Sequence, residues 1–233
     1  MPLEDIVVYL ESYGGRDRVM RLLYYSAQYI SGVSRWESLN HKLNVFSDQI
    51  NSCRTVLRLF DDVPMLSYTL SYGLGHSEAW EPRAILRILG VMINILDQLY
   101  YPLEHIAWAA DCKLISIRSS PWWTASSFCW ALSMCLMMVK SLLQSRFLSS
   151  LKQLASSLDK NHWTRKLNVP FYDLVSHSQL NKSVTATRCF LDFVHAVHWL
   201  PSGVLWAGKL KQWQTGALGI LSSLLSIYQS LCK

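Results

Sequence analysis

The chain has 233 residues, of which 51% are hydrophobic and only 16% charged, against roughly 25% charged in ordinary soluble domains; disorder is excluded and a freely soluble globule is disfavoured. Its length suits one functional unit, either a single domain or a compact membrane protein. Residues 1–118 carry 11 basic and 13 acidic side chains (−2) and residues 119–233 carry 11 and 3 (+8), so the excess of +6 belongs to the C-terminal half.

Met1-Pro2-Leu3-Glu4-Asp5 places acids where a secretory signal needs basic residues, so no signal peptide is expected and delivery is expected to use internal information. Arg16–Gly32 reads as a helix with Val19, Leu22, Leu23, Ala27 and Ile30 on one side. The clearest amphipathic helix follows: Leu43, Phe46, Ile50, Cys53, Leu57 and Phe60 recur at 3-4-3-4-3 spacing, an arc of roughly 100°. Asn44, Asp48, Asn51, Arg54, Arg58 and Asp62 fall opposite. Such a helix suits a membrane-surface wedge, a seam with another copy, or a helix packed within its own bundle, the last being the commonest use. Gly14-Gly15 and Tyr72-Gly73-Leu74-Gly75 mark loops. Pro82 opens a helical run that Pro102 is expected to break, with Leu103–Lys113 resuming beyond it.

Two uncharged runs of 21 residues, Ser119–Val139 and Gln212–Cys232, stand out in the C-terminal half. Each would span about 31 Å as a helix, close to the hydrocarbon thickness of a bilayer. Trp122, Trp123 and Trp213 open the runs and basic residues bound them, as expected of membrane crossings. Gly216 and Gly219 in the second run are spaced to allow a close helix–helix contact in lipid. Residues 140–192 read as a basic amphipathic continuation, with Lys140, Arg146 and Lys152 between apolar residues, followed by a polar loop with partial helix over Ser156–Ser183. Phe193–Gly208 is apolar but contains Pro201, and reads as an interfacial or re-entrant segment, or as a third crossing; Trp199, Trp206 and Trp213 would align if one helix ran through it.

No period-two alternation is present. The expected fold is therefore all-α: an integral membrane protein with an N-terminal amphipathic helical region (1–118) and crossings at 119–139 and 212–232. Cys53, Cys112, Cys129, Cys135, Cys189 and Cys232 form no paired motif, so no disulfide is expected. Asp192, His195 and His198 share a helical face but lack a fourth ligand, and His105 and Asp111 are spaced one residue too far apart for an acyltransferase box. No nucleophile elbow, phosphate loop or dinucleotide fingerprint occurs. No catalytic residue, metal or cofactor is expected, and the basic residues suit lipid headgroups better than nucleic acid.

Glu11–Arg18, Cys53–Asp62, Tyr72–Gly75, Asp97–Asp111, Ala196–Gly208 and Ser226–Gln229, in this order across nearly the whole chain, resemble the gamma subtype of the peroxisomal membrane protein 11 family. The resemblance implies a multi-pass protein of the peroxisomal membrane that promotes elongation, fission and proliferation of the organelle, without catalysis. It implies as partners the membrane lipids, further copies and related members in oligomers, fission adaptors with a dynamin-like GTPase, and the peroxisomal membrane-protein import receptor. It also raises the wedge use of Leu43–Phe60 above the bundle use, and implies cytosolic termini, although the positive-inside rule applied to residues 140–211 predicts the reverse. An oligomeric small-solute channel and an adaptor that only recruits fission factors are the alternatives.

Overall fold

The computed structural model describes residues 3–75, 83–158 and 162–232; residues 155–158 and 162–172 are described by backbone alone. All regular structure among them is helical: α1 (Leu3–Glu11), α2 (Tyr13–Val33), α3 (Glu37–Arg58), α4 (Asp62–Tyr72), α5 (Ala84–Asp111), α6 (Ser120–Leu158), α7 (His162–His198) and α8 (Gln212–Leu231). Local chemistry sets several boundaries. The Ser12 hydroxyl caps α2 by accepting from the Gly15 N–H at 3.0 Å, so Gly14 and Gly15 form the first turn of α2 and not the expected loop. Gly73 and Gly75, at φ +52° and +84°, end α4 as the Tyr72–Gly75 signal predicts. At the start of α6 the Ser119 carbonyl accepts from both Trp122 and Trp123 N–H at 3.0 Å, and Pro121 sits in the first turn, where it forfeits no hydrogen bond.

Pro102 does not break α5, which runs through it. Contacts on both sides of the proline hold the helix together. The Tyr100 hydroxyl donates across it to Glu104 at 2.7 Å, and Glu104 receives Arg58 through two hydrogen bonds of 2.6 and 2.8 Å. The expected loop at Ser156–Ser183 is also corrected: it is helical from His162 onward, and residues 159–161 lie outside the described ones. Two of its side chains have partners on α6, with Ser145 and Ser183 2.9 Å apart and Gln179 donating to Ser149 at 2.7 Å. The segment 193–208 is divided between the end of α7 and a turn containing Pro201, Gly203 and Gly208, so Trp199, Trp206 and Trp213 do not share a helix.

Successive neighbours run antiparallel in the order α5, α6, α7, α8, α2, α3. Arg83 donates to the Leu143 carbonyl at 3.5 Å at one end of the α5–α6 pair, and Trp123 to Asp111 at 2.7 Å at the other. Between α7 and α8, Ser222 donates to Asp192 at 2.6 Å and Gln229 to Asn181 at 2.7 Å. Arg21 donates to Ser222 at 3.2 Å and Arg18 to Ser226 at 3.1 Å between α2 and α8. Arg54 donates to Asp17 at 2.8 Å, and Ser31 to Asn44 at 2.8 Å, between α2 and α3. Finally α4 returns along α5, where Thr69 donates to Gln98 at 3.0 Å.

Candidate membrane-facing surfaces

The bundle places many polar groups inside and many apolar ones outside. Its buried side chains include Asn94, Glu104, Ser126, Ser133, Asp192, His195, Thr215, Ser222 and Ser223. Arg21 and Asp192 form an ion pair joined by Ser222, while Ser133 donates to Asp97 between α5 and α6. On the outside, Ile85, Ile88, Met92, Ile95 and Leu99 form an exposed stripe along α5, and Phe128, Leu132, Val139 and Leu142 another along α6. In water the exposed aliphatic surface would be costly at about 25 cal/mol per Å²; in lipid that cost vanishes, and the polar groups find their partners within the protein.

Among the described residues, two helices, α5 and α6, are long and apolar enough to cross a membrane. The expected crossing at 119–139 lies within α6. The expected crossing at 212–232 coincides with α8, which is not among the two, because Thr215, Gly216, Gly219, Ser222, Ser223 and Ser226 occupy its inner face. The second candidate is α5, which the sequence reading placed in the amphipathic N-terminal region; its signal is the 3-4-3-4 spacing of Ile85, Ile88, Met92, Ile95 and Leu99.

The predicted amphipathic helix is α3, and its orientation is unusual for a bundle helix. Ser47, Arg54 and Thr55, on the polar side, are buried against the neighbours. Phe46 and Phe60 are 45% and 74% exposed, Cys53 is exposed, and Leu43, Ile50 and Leu57 are half-buried. Half of the expected arc, Phe46, Cys53 and Phe60, is thus exposed, as are Asp48 and Asn51 of the polar side, and Phe60 lies beyond the helix, which ends at Arg58.

The other sequence-derived residues separate. Arg146 is exposed, but Lys140 is buried and Lys152 turns toward α7 to donate to Ser176 at 3.1 Å, so the three do not form one basic face. Gly216 and Gly219 face α2: a Cβ on Gly216 would lie 2.6 Å from the Tyr29 backbone nitrogen, and one on Gly219 would lie 2.1 Å from the Tyr25 ring. His195 and His198 serve internal ties. Trp199 donates to His195 Nε2 at 3.0 Å, and His198 Nδ1 accepts from the Leu210 N–H at 3.3 Å, while Asp192 is occupied by Arg21 and Ser222.

Sequence reading missed the partners of the inner polar residues, because Arg21 and Asp192 meet across 171 positions of chain. No local spacing signals such a pair.

Polar side chains turned inward and aliphatic ones outward define a multi-span helical membrane protein. The model of the family described as peroxisomal biogenesis factor 11 (PEX11) matches residues 3–231. Peroxisomal membrane protein 11C of Homo sapiens is 41% identical over 98% of this chain and 94% of its own length. The Mus musculus protein of the same name is 41% identical over 95% and 91%, and peroxisomal membrane protein 11D of Arabidopsis thaliana is 25% identical over 97% and 90%. No solved structure matches the chain. The chain belongs to the peroxisomal biogenesis factor 11 family and is a helical protein of the peroxisomal membrane.

Proposed function

We propose that this protein, a member of the gamma subtype, shapes the peroxisomal membrane for elongation and fission without catalysis, by inserting the apolar arc of α3 into one leaflet. The carrying observation is the orientation of α3, with Ser47, Arg54 and Thr55 buried while Phe46 faces outward, as does Phe60 two residues beyond the end of the helix. A helix lying in the headgroup layer with its apolar side down expands one leaflet and favours curvature. Copies of the chain and of its relatives, fission adaptors, a dynamin-like GTPase and the membrane-protein import receptor are the proposed partners.

Both termini are proposed to face the cytosol. Their placement on one side of the membrane is supported by the antiparallel pairing of α2 with α8: Arg18 meets Ser226, and beyond them Ser230 donates to the Tyr9 hydroxyl at 3.3 Å, so the beginning and end of the described chain adjoin.

The test uses full-length protein in liposomes. Phe46→Asp with Phe60→Asp removes two exposed aromatic rings, each worth about 1.5–3 kcal/mol when fully buried in an apolar medium. Tubulation is expected to fall at least tenfold while the circular dichroism of the bundle is unchanged. Undiminished tubulation by the double variant would falsify the wedge.

A further inference from the structure

Helices α6 and α7 form a hairpin that outruns the helices packed beside it. Ser145 and Ser183 lie 2.9 Å apart, Gln179 donates to Ser149 at 2.7 Å and Lys152 to Ser176 at 3.1 Å, so the two stay paired well beyond Lys140. Their neighbours stop earlier. On one side α5 begins at Ala84, where Arg83 donates to the Leu143 carbonyl at 3.5 Å and lies over the Phe147 ring. On the other α8 ends at Leu231, where Gln229 donates to Asn181 at 2.7 Å, and Tyr228 and Cys232 line one cleft with His177 and Leu180. The helical backbone continues from Phe147 to Leu158 in α6 and from His177 back to His162 in α7, about 16 and 22 Å at roughly 1.5 Å per residue.

This part of the hairpin belongs in water. Arg146, Gln153, Asp173 and His177 are exposed on it, groups that a lipid-facing surface excludes, and the charge-free run of α6 ends before it, at Val139. With α6 as a crossing, the chain enters the bilayer from the α5–α6 turn and leaves it near Lys140. The last turn of α8 touches α7 beyond that exit, since Gln229 donates to Thr185 as well as to Asn181, each at 2.7 Å. The C-terminal end of α8 is therefore held against the emerging hairpin and away from the α5–α6 turn, which α6 carries to the opposite surface.

We propose that the α6–α7 hairpin projects from the bilayer on the side of the C-terminus, opposite the α5–α6 turn. The compartment is named by the cytosolic placement of the C-terminus proposed above: with that terminus in the cytosol, the hairpin stands there too, open to cytosolic proteins and closed to those of the organelle interior. Charge agrees with this side. Residues 144–180 include five basic residues and residues 112–119 two, and the larger basic share marks the cytosolic face. The conflict between cytosolic termini and a basic segment at residues 140–211 also disappears, because that segment is not one loop. Beyond the hairpin, α7 carries the chain back along α6 as far as Ala131, which packs with Ala196 and Val197.

The experiment uses the full chain in intact peroxisomes, treated with a membrane-impermeant maleimide before or after detergent. The variant C53S/C112S/C232S removes the exposed cysteines and keeps Cys129, Cys135 and Cys189, which are half-buried or buried. In that background S150C and H177C are expected to be labelled without detergent, as is a chain that retains Cys232. A chain that retains Cys112, in the α5–α6 turn, is expected to lose labelling until detergent is added. Ser150 and His177 are exposed positions on separate helices, so either variant decides the matter if the other fails to fold. Protection of S150C or H177C where Cys232 is labelled, or labelling of Cys112 alongside Cys232, overturns the proposal. Protection of Cys232, S150C and H177C together, with Cys112 labelled, supports the hairpin's place beside the C-terminus and overturns the cytosolic placement alone.

Discussion

Replacing Gly216 by alanine probes the contact between α2 and α8 at one of its tightest points. The new Cβ would lie 2.6 Å from the Tyr29 nitrogen and 2.7 Å from its Cα, so the obstruction is backbone, which cannot rotate away. Overpacking of this kind costs about 1–3 kcal/mol, while exchanging glycine for alanine within a helix returns about 0.5–1 kcal/mol of backbone entropy. The net effect is a loss of about 0.5–2 kcal/mol, lowering Tm by about 4 °C at the middle of that range for a chain of this size. Gly14 supplies the control. Its Cβ would meet only the far end of the Arg18 side chain, at 3.1 Å, which can move. Gly14→Ala is thus expected to raise Tm by about 2 °C through the entropy gain alone. Thermal unfolding of both variants in one detergent, followed by circular dichroism, measures the difference. Equal shifts of the same sign would show that α2 and α8 do not pack as described.

The Arg21–Asp192 pair yields a second expectation. Arg21→Met strands a buried carboxylate and should cost about 3–5 kcal/mol, whereas Arg21→Met with Asp192→Leu should recover most of it; a double variant no more stable than the single one would contradict the pairing. Asp61 gives a dependence on pH. Burial foremost, with Asp17 and Asp62 adding, raises its carboxyl above the usual range against the opposing Tyr13 hydroxyl and Arg58. A folded value above the unfolded one means the fold favours the protonated form, so stability falls as pH rises from the ordinary aspartate range through the raised value. Asp61→Asn should be more stable than wild type at neutral pH and indistinguishable in acid, which chemical denaturation at two pH values would check. Tags placed at the two termini should both be digested by protease on intact peroxisomes; protection of one alone would require an odd number of crossings.

Much of this architecture follows from local pattern. The periodicities of Leu43–Phe60 and Arg16–Gly32 gave two helices, Gly73 and Gly75 marked a loop, and the uncharged run from Ser119 to Val139 marked a membrane helix, because each signal lies within a few turns of chain. Only the tertiary structure decided which way the faces point. The same 3-4 spacing in α3 fits an arc buried in a bundle or one turned outward, and the fold buries Ser47, Arg54 and Thr55 of its polar side while leaving Phe46 and Cys53 exposed. The apolar run of α8 is long enough to cross a bilayer, yet Gly216 and Gly219 pack against α2 and Ser222 and Ser226 bond Arg21 and Arg18, while α5 joins α6 as a helix fit for that role. Lys140 shows the same limit, since a lysine of an amphipathic stretch is expected at the surface and is here buried by its neighbours. Composition and periodicity fix what each segment can form by itself; which side of it meets lipid depends on partners such as Asp192 for Arg21, which no local pattern locates.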